Sequence, residues 1–142
     1  MAQAQYITPS DVSTYGVNGA ALTGIPFAEQ VAACVAVSAE ADASFRARYN
    51  LPLVSWGQDV RAMLARICAY ELLVVRGFNP ELGADSNISV RAEGARAWLR
   101  AVARQEQHPD VVASVPQVTA YDEPRIITQP RLWGRGTRYP RG

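Results

Sequence analysis

The sequence predicts a mainly α fold, a bundle of about four helices (one short, three long) followed by an extended, β-prone C-terminal arm. Three observations lead there. Apolar residues recur at helical spacing through three long stretches. After His108-Pro109 that spacing gives way to short β-prone runs divided by Pro116, Pro124, Pro130 and Pro140, which forbid regular helix. With 142 residues, 49% of them hydrophobic, the chain suits one core. The expected division is a helical domain over 1–109 and the arm over 110–142.

The elements follow in order. Tyr6-Ile7-Thr8-Pro9-Ser10-Asp11-Val12 reads as a short helix start, with Thr8 as N-cap, Pro9 at the first helical position and Asp11 complementing the helix dipole. Gly16 should end it, and the Gly-rich stretch from Val17 to Gly24 should be a loop. A long helix is expected from Pro26 to Tyr49, about 35 Å at 1.5 Å per residue, with Phe27, Val31, Cys34, Val35, Phe45 and Tyr49 at helical spacing. Its alanines leave little bulk on the neighbouring face, so another helix can approach there. Asp42 lies on the Cys34, Phe45 and Tyr49 side and needs a donor, which Arg48 or the next turn's backbone can supply. Its role reads as structural rather than catalytic.

Asn50-Leu51-Pro52-Leu53 breaks this helix, and Ser55-Trp56-Gly57-Gln58 has the form of a capping box for the next. That helix carries Val60, Met63, Leu64, Ile67, Cys68, Leu72 and Leu73, too broad an apolar face for a surface helix, and Gly77 should cap its end. Ser86 or Ser89 is expected to cap a last helix running to Gln107, with Ile88, Ala92, Ala95, Leu99 and Val102 inward. On another of its faces Arg96, Arg100 and Arg104 repeat every four residues, either as a solvated face neutralised by Glu93 and Glu106 or as a surface facing DNA.

The chemistry-bearing residues are sparse. The one histidine, His108, precedes a proline at a helix end, and no nucleophile–base, phosphate-loop or metal-ligand pattern occurs. Cys34 and Cys68 lie in helical patterns without CxxC spacing and read as two buried, reduced thiols. No catalytic residue, cofactor or metal is expected, and the chain reads as non-enzymatic. No apolar run reaches the roughly 18 residues of a membrane span, so no membrane partner is expected.

Charge is distributed unevenly. Residues 1–123 hold 9 Arg and 13 acids, whereas 124–142 hold 5 Arg and no acid; every cationic side chain in the chain is Arg. Arg125, Ile126, Ile127, Arg131, Leu132, Trp133, Arg135, Arg138 and Tyr139 are the candidate partner-binding residues, because Arg and aromatics concentrate at binding hot spots. Val118–Tyr121 and Arg125–Thr128 are candidate edge strands. The same mixture of Arg and aromatics suits nucleic acid, so a small nucleic-acid-binding helical module is the alternative. A subunit whose chemistry lies on another chain is a third.

Three motifs occur together: Tyr6-Ile7-Thr8-Pro9, Arg48-Tyr49-Asn50-Leu51-Pro52-Leu53 after Asp42 and Phe45, and Arg66-Ile67-Cys68-Ala69-Tyr70-Glu71-Leu72. In this set, and in the later Arg96-Ala97-Trp98-Leu99, the chain resembles the Mu-like family of phage head-tail connector (head completion) proteins. It departs in having Cys68 where a small residue is more usual. The resemblance implies a helical adaptor that forms a dodecameric ring below the portal, in the neck of the virion. Its implied partners are the portal protein, tail or tail-adaptor proteins, further copies of itself, and packaged DNA passing through the channel.

Overall fold

A computed structural model describes residues 4–77 and 84–114. In chain order the elements are α1 (Pro9–Asp11), a single π turn (Val12–Gly16), α2 (Gly19–Leu22), α3 (Phe27–Phe45), β1 (Leu53–Trp56), α4 (Gln58–Arg76), α5 (Ala84–Ala103) and β2 (Val111–Ala113). Among the described residues the fold is mainly helical, as the periodicity predicts, with one two-stranded sheet. Helix α4 is central, packing against α3, α5 and the π turn.

The N-terminal segment is extended and threads into the core before it turns helical. Tyr6 and Ile7 are both buried, as is Val12. The Tyr6 N–H donates to Ser38 Oγ at 3.1 Å, and Ser38 in turn donates to the Cys34 carbonyl at 2.8 Å. Trp56 Nε1 donates to the Tyr6 carbonyl at 2.9 Å, so both backbone polar groups of Tyr6 are satisfied inside. Thr8 and Asp11 then form a reciprocal capping box with Pro9 at the first helical position. The Tyr-Ile-Thr-Pro string therefore combines two core anchors with a helix start.

The predicted loop after Gly16 contains a helix. Asn18 Oδ1 accepts from the Ala20 N–H at 3.1 Å, which caps α2, and Leu22 is buried. Gly16 itself lies against α4, where an added Cβ would meet the Ala65 carbonyl oxygen at 2.7 Å and the Ala69 Cβ at 2.9 Å. Arg91 of α5 donates to the carbonyls of Gly16 (3.2 Å) and Tyr15 (3.0 Å), tying the π turn to a second helix.

In α3 the inward face is Cys34, Val37, Ser38, Ala41 and Phe45. Phe27 and Val35, counted with the apolar series, point outward at 70% and 40% exposure, because α4 covers only one side of the helix. Phe45 is fully buried and meets Tyr6 and Tyr49 edge-to-face, with ring centroids 5.9 and 6.2 Å apart.

The expected Ser55 capping box does not form. Ser55 lies in β1, opposite Val112 in an antiparallel pair whose other partners are Leu53 with Ala113 and Trp56 with Val111. Helix α4 starts after Gly57 without a side-chain cap. Gly57 is required there by close approach: its N–H donates to the Asp110 carbonyl at 2.8 Å, and a Cβ would lie 2.6 Å from the Asp110 carboxylate. Asp59 Oδ2 accepts from the Asp110 N–H at 2.9 Å, a second tie between the same segments. Residues 110–114 thus attach to the body, and Ser114 Oγ donates to the Asn50 carbonyl at 3.1 Å.

Gly77 ends α4 in the left-handed conformation (φ 94°), its N–H donating to the Val74 carbonyl. Helix α5 starts at Ala84, so Ser86 and Ser89 lie inside it rather than at its cap. Its inner stripe of Ala92, Ala95, Leu99 and Val102 is buried as expected, with Ile88 half-buried. It ends at Ala103, short of Gln107, as Gln105 turns to φ 66°.

Candidate docking surface

The outer side of α3 and the C-terminal half of α4 enclose an open groove of about 520 Å³. Among the described residues its floor is Ala32, Ala33 and Ala36 from α3 with Leu72 and Val75 from α4. Val75 is 71% exposed. Glu29, Glu40 and Glu71 stand around the floor. The alanines explain the depth: Ala41, further along α3, is buried, whereas Ala32 and Ala36 stay open to solvent.

Arg96 of α5 ties the two walls. Its Nε donates to Glu40 at 3.1 Å and an NH2 group to Glu71 at 2.5 Å, so one guanidinium joins α3, α4 and α5. Burial works against its charge, but the bonds to Glu71 and Glu40 outweigh this and the Arg96 pKa is raised. The guanidinium also lies 5.8 Å from the Tyr70 ring centroid. At 26% side-chain exposure each pair adds at most about 1 kcal/mol after solvent screening. Their contribution is mainly to orientation.

The other two arginines of the stripe, Arg100 in α5 and Arg104 just past its end, are exposed. Arg100 pairs with Glu93 at 3.2 Å and Arg104 with Glu106 at 3.9 Å, the two carboxylates the sequence offers as neutralisers. Arg96 has the partners that sequence spacing did not reveal, since Glu40 and Glu71 lie 56 and 25 residues away along the chain. All three arginines of the stripe have a carboxylate partner.

A buried contact also joins α3 and α4. Cys34 and Cys68 are free thiols with their sulfurs 3.8 Å apart, across the α3–α4 contact. Their mutual hydrogen bond and burial push the Cys68 thiol up. The Asp42 donor is the Tyr6 hydroxyl, not Arg48. Arg48 instead donates to the Gln107 carbonyl at 2.6 Å and to His108 Nδ1 at 2.5 Å, fastening the end of α3 to the segment after α5. Among the described residues no cluster of three or more His, Cys, Asp or Glu side chains is placed to hold a metal ion, and no helix is long and apolar enough to cross a membrane.

Burial, the bond to Asp42 and that residue's negative charge all raise the Tyr6 phenol pKa. An unfolded tyrosine ionises near pH 10, so above that pH the unfolded chain has lost a proton that the folded chain keeps. This part of the stability is complete below pH ~10 and is lost as pH rises towards the raised value. Tyr6→Phe is therefore expected to lower stability at pH 7 by about 1–3 kcal/mol, by leaving Asp42 without its donor, and to flatten the loss of stability above pH 10. Denaturant melts of both chains across that range check it; parallel alkaline losses would contradict the assignment.

Arg125, Ile126, Ile127, Arg131, Leu132, Trp133, Arg135, Arg138 and Tyr139, with the two candidate edge strands, lie outside the described residues.

Among the described residues the bundle is laced by charge pairs and carries an open apolar groove. The class is a phage structural or morphogenesis protein: a family model described as "Bacteriophage Mu, Gp36" matches residues 20–128. The chain belongs to that family. No curated protein and no solved structure matches it.

Proposed function

We propose that the chain is a head-to-tail connector that assembles as a ring below the portal and joins the DNA-filled capsid to the tail. Family membership is the observation that carries this reading. The distribution of charge supports it: the 19 residues from Pro124 hold five arginines and no acid, and follow a body whose segment 110–114 is stitched to β1. A segment of that composition suits docking on an acidic or grooved partner, with Trp133 and Tyr139 as apolar anchors. Arg125, Arg131, Arg135 and Arg138 would meet carboxylates of the portal or of a neighbouring copy. The chain would act by contact alone, without catalysis or cofactor.

Particles made without this protein should contain filled heads that take no tails. Deleting 124–142 should leave a folded chain that no longer joins the portal. Normal tailed particles in the first case, or unchanged portal binding in the second, would sink the corresponding claim.

The nucleic-acid reading draws on the same arginines. It predicts affinity that falls steeply with salt. The pairing of Arg96, Arg100 and Arg104 with carboxylates favours the connector, which should bind free DNA weakly at both low and physiological salt. A titration at two salt concentrations separates them.

A further inference from the structure

The α3–α4 groove and the composition of the C-terminal segment are complementary. Among the described residues, three carboxylates and one guanidinium stand around the groove, Glu29, Glu40 and Glu71 against Arg96, and the floor between them is apolar. The segment 124–142 has the opposite character, five arginines without an acid, and carries Leu132, Trp133 and Tyr139. We propose that the groove of one copy receives the segment 124–142 of a neighbouring copy of this chain. The inference rests on the ring reading and supplies its subunit contact.

The size of the groove selects the occupant. About 520 Å³ lies within the roughly 300–1,000 Å³ of pockets that bury a small organic molecule, so it seats one or two large side chains rather than a helix. Alanine methyls on the floor let a flat ring approach the α3 backbone closely. Glu29 is free to meet an incoming arginine, as no ion pair of the described residues engages it; Glu40 and Glu71 each have a second oxygen beyond the one bonded to Arg96.

The exit of the chain allows the segment to travel. Ser114 is fastened to Asn50, beyond the end of α3, and the groove begins at Glu40, roughly 15 Å back along the helix. Residues 115–123 can bridge up to ~30 Å, enough to leave the chain's own body. Donating the segment to a neighbour leaves each copy with one filled groove and one donated segment. This is the heterologous contact from which rings are built, whereas folding it back would consume both halves within one copy. One or two side chains seated in the groove make a small contact, so copies stay apart when dilute and hold when a template gathers several.

The test uses a phage encoding the full-length chain with Ala36→Cys in the groove and Gly134→Cys beside Trp133, with each single substitution as control. Oxidised tailed particles are run on a non-reducing gel. A ladder of covalently linked copies, absent from both controls and reduced roughly five-fold by adding Glu29→Arg, is the expected result. Internally linked monomers would show that the groove takes its own segment, and a link to a different protein would show another occupant. Either outcome, or a chain present in particles without any link, overturns the inference while the connector reading stands. A chain absent from tailed particles overturns both.

Discussion

Phe45→Ala is expected to lower stability by about 3–5 kcal/mol, the range for removing a fully buried aromatic side chain, and the melting temperature by roughly 10–15 °C. Phe45 is 0% exposed and forms the centre of a chain of edge-to-face rings running from Trp56 through Tyr6 to Phe45 and Tyr49. Its loss opens a cavity and also removes the surface on which Tyr6 rests. Tyr6 holds Asp42, Ser38 and Trp56, so the damage should spread to the N-terminal segment. Phe27→Ala, on the exposed side of the same helix, should change stability by no more than about 0.5 kcal/mol. Thermal melts of the two variants give a direct comparison; equal losses would mean that the inward face of α3 is wrongly assigned.

Gly16→Val should have the second largest effect, about 3 kcal/mol, for a reason unrelated to backbone freedom. The new Cβ would lie 2.7 Å from a carbonyl oxygen of α4, a backbone atom that cannot rotate away. The π turn must then lift from α4, and the Arg91 bonds to Tyr15 and Gly16 must break or stretch. Gly94→Ala is the matched control. Gly94 sits inside α5 with nothing within 4 Å of its added Cβ, and alanine there should stabilise by about 0.5–1 kcal/mol. Opposite signs at two glycines, read by denaturant melts, are the expected pattern.

The features legible in the sequence are those decided within a turn or two. Thr8, Pro9 and Asp11 specify a helix start among themselves, and Gly77 specifies a helix end alone. The broad apolar face of α4 marked the centre of the core for the same reason. What escaped depends on distant segments. Ser55 has the spacing of a cap, but β2 arrives more than 50 residues later and draws it into a ladder. Spacing offers Asp42 either Arg48 or the backbone of the next turn, and its donor is Tyr6, 36 residues earlier. The glycines around α2 argue for a loop, while Asn18 as cap and the burial of Leu22 decide for helix. The groove was half legible: the alanines showed that α3 has a thin face, but only the packing shows that Ala32 and Ala36 stay uncovered among the described residues.

The position of Tyr6 also orders events in time. Its partners Ser38, Asp42 and Trp56 lie 32, 36 and 50 residues further along the chain. A ribosome adding about 5–20 residues per second needs roughly 3–10 s to make the last of them. Tyr6 is thus made seconds before the last of its partners, and it cannot be fully seated until Trp56 has followed it out of the ribosome.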